Sequence, residues 1–254
     1  MARKAASVSH DGLAIDAAVY LAVMEAMAFE EKEIDTLLDK GLEYIDNPFF
    51  KELVGELRRR CRAAEDWHEV RDWIASEHGY EKYPGNCPMV TNHLTLLMAL
   101  IMGGDDFNKA CMIACSAGWD TDCNSGNVGC LNGIRLGLEG FSTGADLRKP
   151  VADRLYVVTS DGGETVTDAV IETRKIVRAA AMLNGEEVEI PKERYAFEYP
   201  GSVQGVIPFD GNQKEQVLTR IENAYDSTGE FGCRIFYEGL GAGVHASCCV
   251  DTFI

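Results

Sequence analysis

The sequence predicts a mainly α protein: a multi-helix orthogonal bundle over residues 1–145, a connector with one long helix over 146–205, and a smaller β-rich module over 206–254. Three observations predict it. Residues 12–29 are apolar nearly all round, with Asp16 and Glu25 the only charges, which is the pattern of a helix inside a bundle. Up to about residue 140 the chain keeps returning to helical periodicity, with caps and breakers between the runs. Beyond residue 195, glycines punctuate short apolar runs, which suits antiparallel strands.

Each element has a local reason. In 12–29, alanines at 14, 17, 18, 22, 26 and 28 let neighbouring helices approach closely, so this segment is expected at the centre. Helices follow at 33–45, at 48–64, with Asp46 or Asn47 as cap and Pro48 in the first turn, and at 66–77. Pro84, Gly85 and Pro88 break the loop 79–88. Residues 91–102 and 107–117 give two more apolar helices, in the second of which Cys111 and Cys115 share a face and read as packing residues. Leu155 begins a strand-like run to residue 159. Residues 165–183 form an amphipathic helix with Thr165 and Asp168 as a capping box and Asn184-Gly185 as its stop. Residues 187–190 alternate, and strands are expected at 233–237 and 244–250. The first strong element is already an interior helix, so a further N-terminal portion is expected. The chain ends on Thr252-Phe253-Ile254 within a strand pattern, so the β-rich module is expected to be truncated.

Composition narrows the function classes. At 254 residues, 46% hydrophobic and 26% charged, the chain can bury a sizeable core. Its net charge of -17 repels phosphate backbones and anionic lipid, which disfavours nucleic-acid and membrane partners. The one dense basic run, Arg58-Arg59-Arg60 with Arg62, has Glu56 and Glu52 one and two turns before it and reads as a solvated face. Nine scattered cysteines show neither Cys-x-x-Cys nor Cys/His ligand spacing, so a reducing cytoplasm is expected rather than a zinc site or a disulfide framework. No secretory signal and no 18-residue uncharged run is visible.

The stretch from Gly118 to Gly126 is costly unless it does something. Asp120 and Asp122 repel each other across one residue, and each of Gly126, Gly129, Gly133 and Gly137 costs a helix roughly 1 kcal/mol relative to alanine. A hard divalent cation would relieve the repulsion. Capping of free helix N–H groups is the other reading of the same aspartates. Gly129, Gly133 and Gly137 recur every four residues and predict a bare stripe for close helix approach.

Gly118-Trp119-Asp120-Thr121-Asp122 followed by a glycine-rich helix resembles the C-terminal metal motif of the ADP-ribosylglycohydrolase family, all-helical enzymes that remove ADP-ribose from proteins. Three further segments carry the resemblance in order: Ser9-His10-Asp11-Gly12, Met89-Val90-Thr91-Asn92-His93, and Gly104-Asp105-Asp106-Phe107. It covers roughly the first 140 residues, and the later part looks like an accessory module.

The resemblance implies a bundle of ADP-ribosylglycohydrolase type and hydrolysis of an N- or O-glycosidic ADP-ribosyl linkage at a dinuclear Mg²⁺ or Mn²⁺ site. It implies Asp120 and Asp122 as metal ligands, with Cys123 where the family usually has a ligating Thr. His10 would contact ADP-ribose or cap the first helix. Thr121 would orient the carboxylates or pack, and Trp119 would stack on the substrate or form a wall. Asn92 and His93 read as helix-start residues, and His68, His78 and His245 as surface or packing residues. The family's N-terminal Thr-Asp-Asp-Thr segment has no counterpart before Ser9, so the chain carries half a site, and the missing half of the same protein is an expected partner. The runner-up is a non-catalytic relative, crystallin-like, favoured by Cys123 and the missing ligands. A glycosyltransferase Asp-x-Asp motif would need a parallel α/β domain, which the helical run from 12 to 140 contradicts.

Overall fold

The computed structural model describes residues 1–148, 150–156, 166–209 and 218–250. It divides into two compact units, Met1–Ala145 and Asp146–Ile254.

The first unit is helical. In order come α1 (Ala2–Ala6), α2 (Gly12–Met27), α3 (Ile34–Leu42), α4 (Pro48–Ala63), α5 (Trp67–His78), α6 (Met89–Gly103), α7 (Phe107–Ser116) and α8 (Thr121–Leu136), with 3₁₀ turns at Tyr80–Lys82 and Leu138–Phe141. The starts follow their caps. The side chains of Asn47, Asp66 and Asp106 accept backbone N–H groups from Phe50, His68 and Lys109, and Asp66 with Glu69 completes a capping box.

The centre is α6, not α2 as the sequence predicts. The fifteen residues of α6 carry no charge, eleven of them are buried, and it packs against α2, α3, α4, α5, α7 and α8. In α2 only Ala17, Val19, Tyr20 and Met24 are buried, while Leu13, Ile15, Leu21 and Val23 are half-buried against the core. Phe29 lies beyond the end of α2 and is exposed.

The tightest helix approach is also elsewhere than predicted. A Cβ on Gly103 would lie 2.5 Å from the Cα of Ala110, so α6 and α7 touch backbone to backbone. Along the predicted stripe, Gly129 and Gly133 face only side chains, of Cys111, Phe107 and Phe141, and Gly137 is the left-handed end of α8. On α7, Cys111 is buried but Cys115 is exposed, so only the first is a packing residue.

Two charged clusters fix the periphery. Arg135, buried in α8, donates to the carbonyl oxygens of Lys32 (2.8 Å) and Gly104 (2.6 Å), to Asn132 Oδ1 and to Asp105 Oδ1 (2.6 Å). The basic run of α4 is neutralised by Glu56, as its spacing predicts, and by Asp35 and Asp39 of α3 rather than by Glu52.

The second unit holds three two-stranded antiparallel sheets among its described residues. β1 (Arg154–Tyr156) pairs with β2 (Val166–Asp168), β3 (Val206–Phe209) with β6 (Ser247–Val250), and β4 (Leu218–Tyr225) with β5 (Phe231–Tyr237), whose register sets Ile221 opposite Ile235. Helix α9 (Ala169–Asn184) starts later than predicted. Asp168 caps it by accepting from Ile171 N–H, and Gly185, at φ +71°, ends it. The predicted strand beyond Tyr156, the capping role of Thr165 and the last four residues lie outside the described residues. Residues 187–190 form no strand, and the final strand starts at Ser247 rather than at 244.

Among the described residues no disulfide links the cysteines. Among the described residues no helix is long and apolar enough to cross a membrane.

Candidate metal centre

The turn between α7 and α8 is strained and heavily braced. Gly118 has φ +97°, which an L side chain rarely adopts. Trp119 follows at φ +60°, unfavourable for a bulky residue by about 1 kcal/mol or more. Arg71 of α5 donates from Nε to the carbonyl oxygen of Ala117 (3.0 Å) and sets its guanidinium 4.9 Å from the centre of the Trp119 ring. The Tyr80 ring stacks on the same indole at 6.3 Å. Asn92 of α6 joins the two sides: its Oδ1 accepts from the Tyr80 hydroxyl (2.9 Å) and from the backbone N–H of Asp120 (3.4 Å).

This bracing delivers three donors to the start of α8. A carboxylate oxygen of Asp120, one of Asp122 and the Sγ of Cys123 all lie within 4.8 Å of one another. Among the described residues no other group of three His, Cys, Asp or Glu side chains converges in this way. Asp120 is half-buried, and Asp122 and Cys123 are exposed. The capping reading does not account for Asp120. It occupies the N-cap position but its side chain makes no cap hydrogen bond, unlike Asn47, Asp66, Asp106 and Asp168.

The electrostatics follow from this crowding. The hydrogen bond with Asp120, and then the N–H groups of residues 122 and 123, hold the Asp122 carboxyl below the usual carboxylate range. The neighbouring Asp120, by hydrogen bond and by charge, pushes the Cys123 thiol upward, and Asp122 adds to it. Convergent oxygens with one sulfur, at spacings that a single ion can bridge, fit a divalent cation.

The other predicted residues lie around this core or apart from it. Thr121 is the first residue of α8, half-buried, its N–H bonded to the Trp119 carbonyl oxygen at 3.1 Å. Trp119 is half-buried between Arg71 and Tyr80, as a wall residue would be. His10 is exposed before α2, its Nδ1 2.8 Å from Ser9 Oγ, and no hydrogen bond or ion pair among the described residues joins it to the three donors. His93 is a core residue, packed edge-on to Tyr20 and tilted against Phe50.

Arg71, Tyr80 and Asn92 are the residues that sequence reasoning misses as site residues. They come from three separate elements, and only Asn92 sits in a recognisable segment. Arg71 also lines a cavity of about 570 Å³ with Trp67, His68, Asp72, Met112 and Ser116.

The family model for ADP-ribosylglycohydrolase matches residues 1–182, which includes all eight helices of the first unit and runs through most of α9, farther than the motifs alone indicate. No curated protein and no solved structure matches the chain. With well over half its length matched, and with the Asp120–Cys123 donors inside the match, the chain belongs to the ADP-ribosylglycohydrolase family, whose members hydrolyse ADP-ribose linkages.

Proposed function

We propose that this chain takes part in metal-dependent hydrolysis of ADP-ribosyl N- or O-glycosidic linkages, with Asp120 and Asp122 as cation ligands. The observation that carries the reading is the convergence of Asp120, Asp122 and Cys123 within 4.8 Å at a braced turn, inside the region matched by the family. A divalent cation bound there, Mg²⁺ or Mn²⁺ in the family's pattern, would polarise ribose hydroxyls and lower the pKa of a bound water.

The chain's own residues do the rest. Asn92 fixes the backbone of Asp120, so the half-buried carboxylate is held before a ligand arrives. Asp122, kept ionised by its neighbours, is available from solvent. Thr121 lies between the two as their spacer, and Trp119 walls the site. By the resemblance His10 would contact ADP-ribose, and the cavity beside Arg71, lined also by Asp72 that pairs with it, is large enough for much of a nucleotide.

Three donors suffice for one ion of a dinuclear centre, so we expect the chain to supply part of the site and to need further ligands, from the rest of the same protein, for turnover. Nine scattered cysteines with no disulfide-framework spacing fit a reducing cytoplasm. A second reading, a non-catalytic binding or structural relative, is favoured by Cys123 at the third ligand position and by the small donor count.

Calorimetric titration with Mn²⁺, with and without ADP-ribose, tests the reading. Binding that strengthens with ADP-ribose and is lost in Asp120→Ala is expected. Absence of heat in both titrations would leave the non-catalytic reading standing.

A further inference from the structure

The donor set fits a cation but is not that of a purely oxygen-seeking one. Sulfur is a soft, polarisable ligand that Mg²⁺ uses poorly and that Zn²⁺ and Co²⁺ use readily. Here an exposed thiol stands within 4.8 Å of both carboxylate oxygens, on the first turn of a helix whose start is fixed by Asn92.

We infer that Cys123 coordinates the cation as a thiolate and shifts the selectivity of the site from Mg²⁺ toward a thiophilic divalent ion, Zn²⁺ being the physiological example. Coordination forms a metal–sulfur bond and breaks the S–H bond, with the proton released to solvent; no electron is transferred. The inference rests on the reading that Asp120 and Asp122 bind a metal, and it concerns which metal and through which atom. Cys87 is a competing source of a sulfur signal, since it is an exposed thiol within electrostatic range of Cys123.

Zn²⁺ outcompetes Mn²⁺ and Mg²⁺ at most donor sets, so bare affinity for Zn²⁺ proves nothing. The informative quantities are a sulfur-specific signal and the change in selectivity when the sulfur is removed. The full chain, kept reduced, is titrated with Co²⁺ and followed by near-ultraviolet absorption, where thiolate-to-cobalt charge transfer appears. The same titration is run on Cys123→Ser, Asp122→Asn and Cys87→Ser, and Zn²⁺ and Mn²⁺ affinities are measured by competition.

The expected result is a charge-transfer band in the wild type and in Cys87→Ser, lost in Cys123→Ser and Asp122→Asn. In Cys123→Ser the ratio of Zn²⁺ to Mn²⁺ affinity falls on the order of 100-fold. Cys123 and Asp122 are exposed, so these variants are expected to fold, which circular dichroism checks. Cobalt binding that needs Asp122 but shows no sulfur band would overturn the inference and leave the proposed function intact. A band that survives Cys123→Ser, or an unchanged selectivity ratio, would overturn it as well. Failure of the wild type to bind Co²⁺, Mn²⁺ or Mg²⁺ would overturn both this inference and the metal-dependent function.

Discussion

Replacing Arg135 by Met should destabilise the helical unit far more than neutralising the aspartate it pairs with. The Arg135 side chain is 2% exposed and its guanidinium donates to the Lys32 and Gly104 carbonyl oxygens, Asn132 Oδ1 and Asp105 Oδ1. Asp105 is 83% exposed, so the charge pair itself is screened and worth about 0–1 kcal/mol. The larger part is the loss of donors to the other three acceptors. Asn132 is fully buried and Gly104 half-buried, so stranding these groups costs about 1–3 kcal/mol for the first and about 1 kcal/mol for the second, whereas Lys32 is exposed and its carbonyl regains water. Arg135→Met should therefore cost about 2–4 kcal/mol and Asp105→Asn under about 1 kcal/mol. Arg135→Lys should fall between, because one ammonium cannot serve three diverging acceptors. Urea unfolding followed by tryptophan fluorescence is the assay, since Trp67, Trp73 and Trp119 all lie in the first unit. Equal losses for Arg135→Met and Asp105→Asn would refute the reasoning, because the exposed ion pair would then carry the stability.

Asn92→Ala removes the acceptor that joins Tyr80 to Asp120, and should weaken Mn²⁺ binding about 10–100-fold in a protein that still folds; unchanged affinity in the calorimeter would contradict the bracing role. Gly103→Ala should cost about 1–3 kcal/mol, because its methyl would meet the Ala110 backbone, whereas Gly126→Ala, with nothing within 4 Å, should stabilise α8 by up to about 1 kcal/mol. Urea midpoints for the pair separate close approach from mere helix propensity. Burial lowers His93 to about 4, while the unfolded chain titrates near 6.5. The unfolded state therefore takes up the proton first, and stability falls as pH drops from about 6.5 to about 4, by on the order of 3 kcal/mol in total. His93→Phe should flatten that acid limb while keeping the ring packing on Tyr20 and Phe50; a limb unchanged in the variant would assign the pH dependence to other groups.

What was legible in the sequence is what is local. Asn47 with Pro48 and Asp66 announce helix starts because a cap needs only a few consecutive residues. The three donors are readable for the same reason, being nearly contiguous. The choice of central helix was not, since α2 and α6 are both almost uncharged and their order of burial is decided by which neighbours pack on them. Four-residue spacing correctly places Gly129 and Gly133 on one face but says nothing of what faces them. The actual backbone contact falls on Gly103, which in sequence is the first half of an ordinary Gly-Gly turn. Arg71 and Tyr80 carry no signal at all: an arginine and a tyrosine in polar surroundings are indistinguishable from surface residues until α5 and the Tyr80–Lys82 turn pack beside Trp119.

The strain at Trp119 bears on function independently of the donor count. A left-handed tryptophan persists only where its surroundings over-determine it, and here a guanidinium, a second aromatic ring and an amide from three elements do so. A helix start that merely needed capping would avoid both costs, because Asn47 and Asp106 achieve the same end in ordinary extended backbone. Instead the turn leaves the Asp120 carboxylate without a cap hydrogen bond and sets it against Asp122 and Cys123. Such an arrangement costs backbone energy and gathers three possible ligand atoms at one turn. A cation that bridges the three would tie the turn together, so binding should stabilise the turn and not only fill it. That stabilisation would be greatest for the ion that best accepts both oxygen and sulfur.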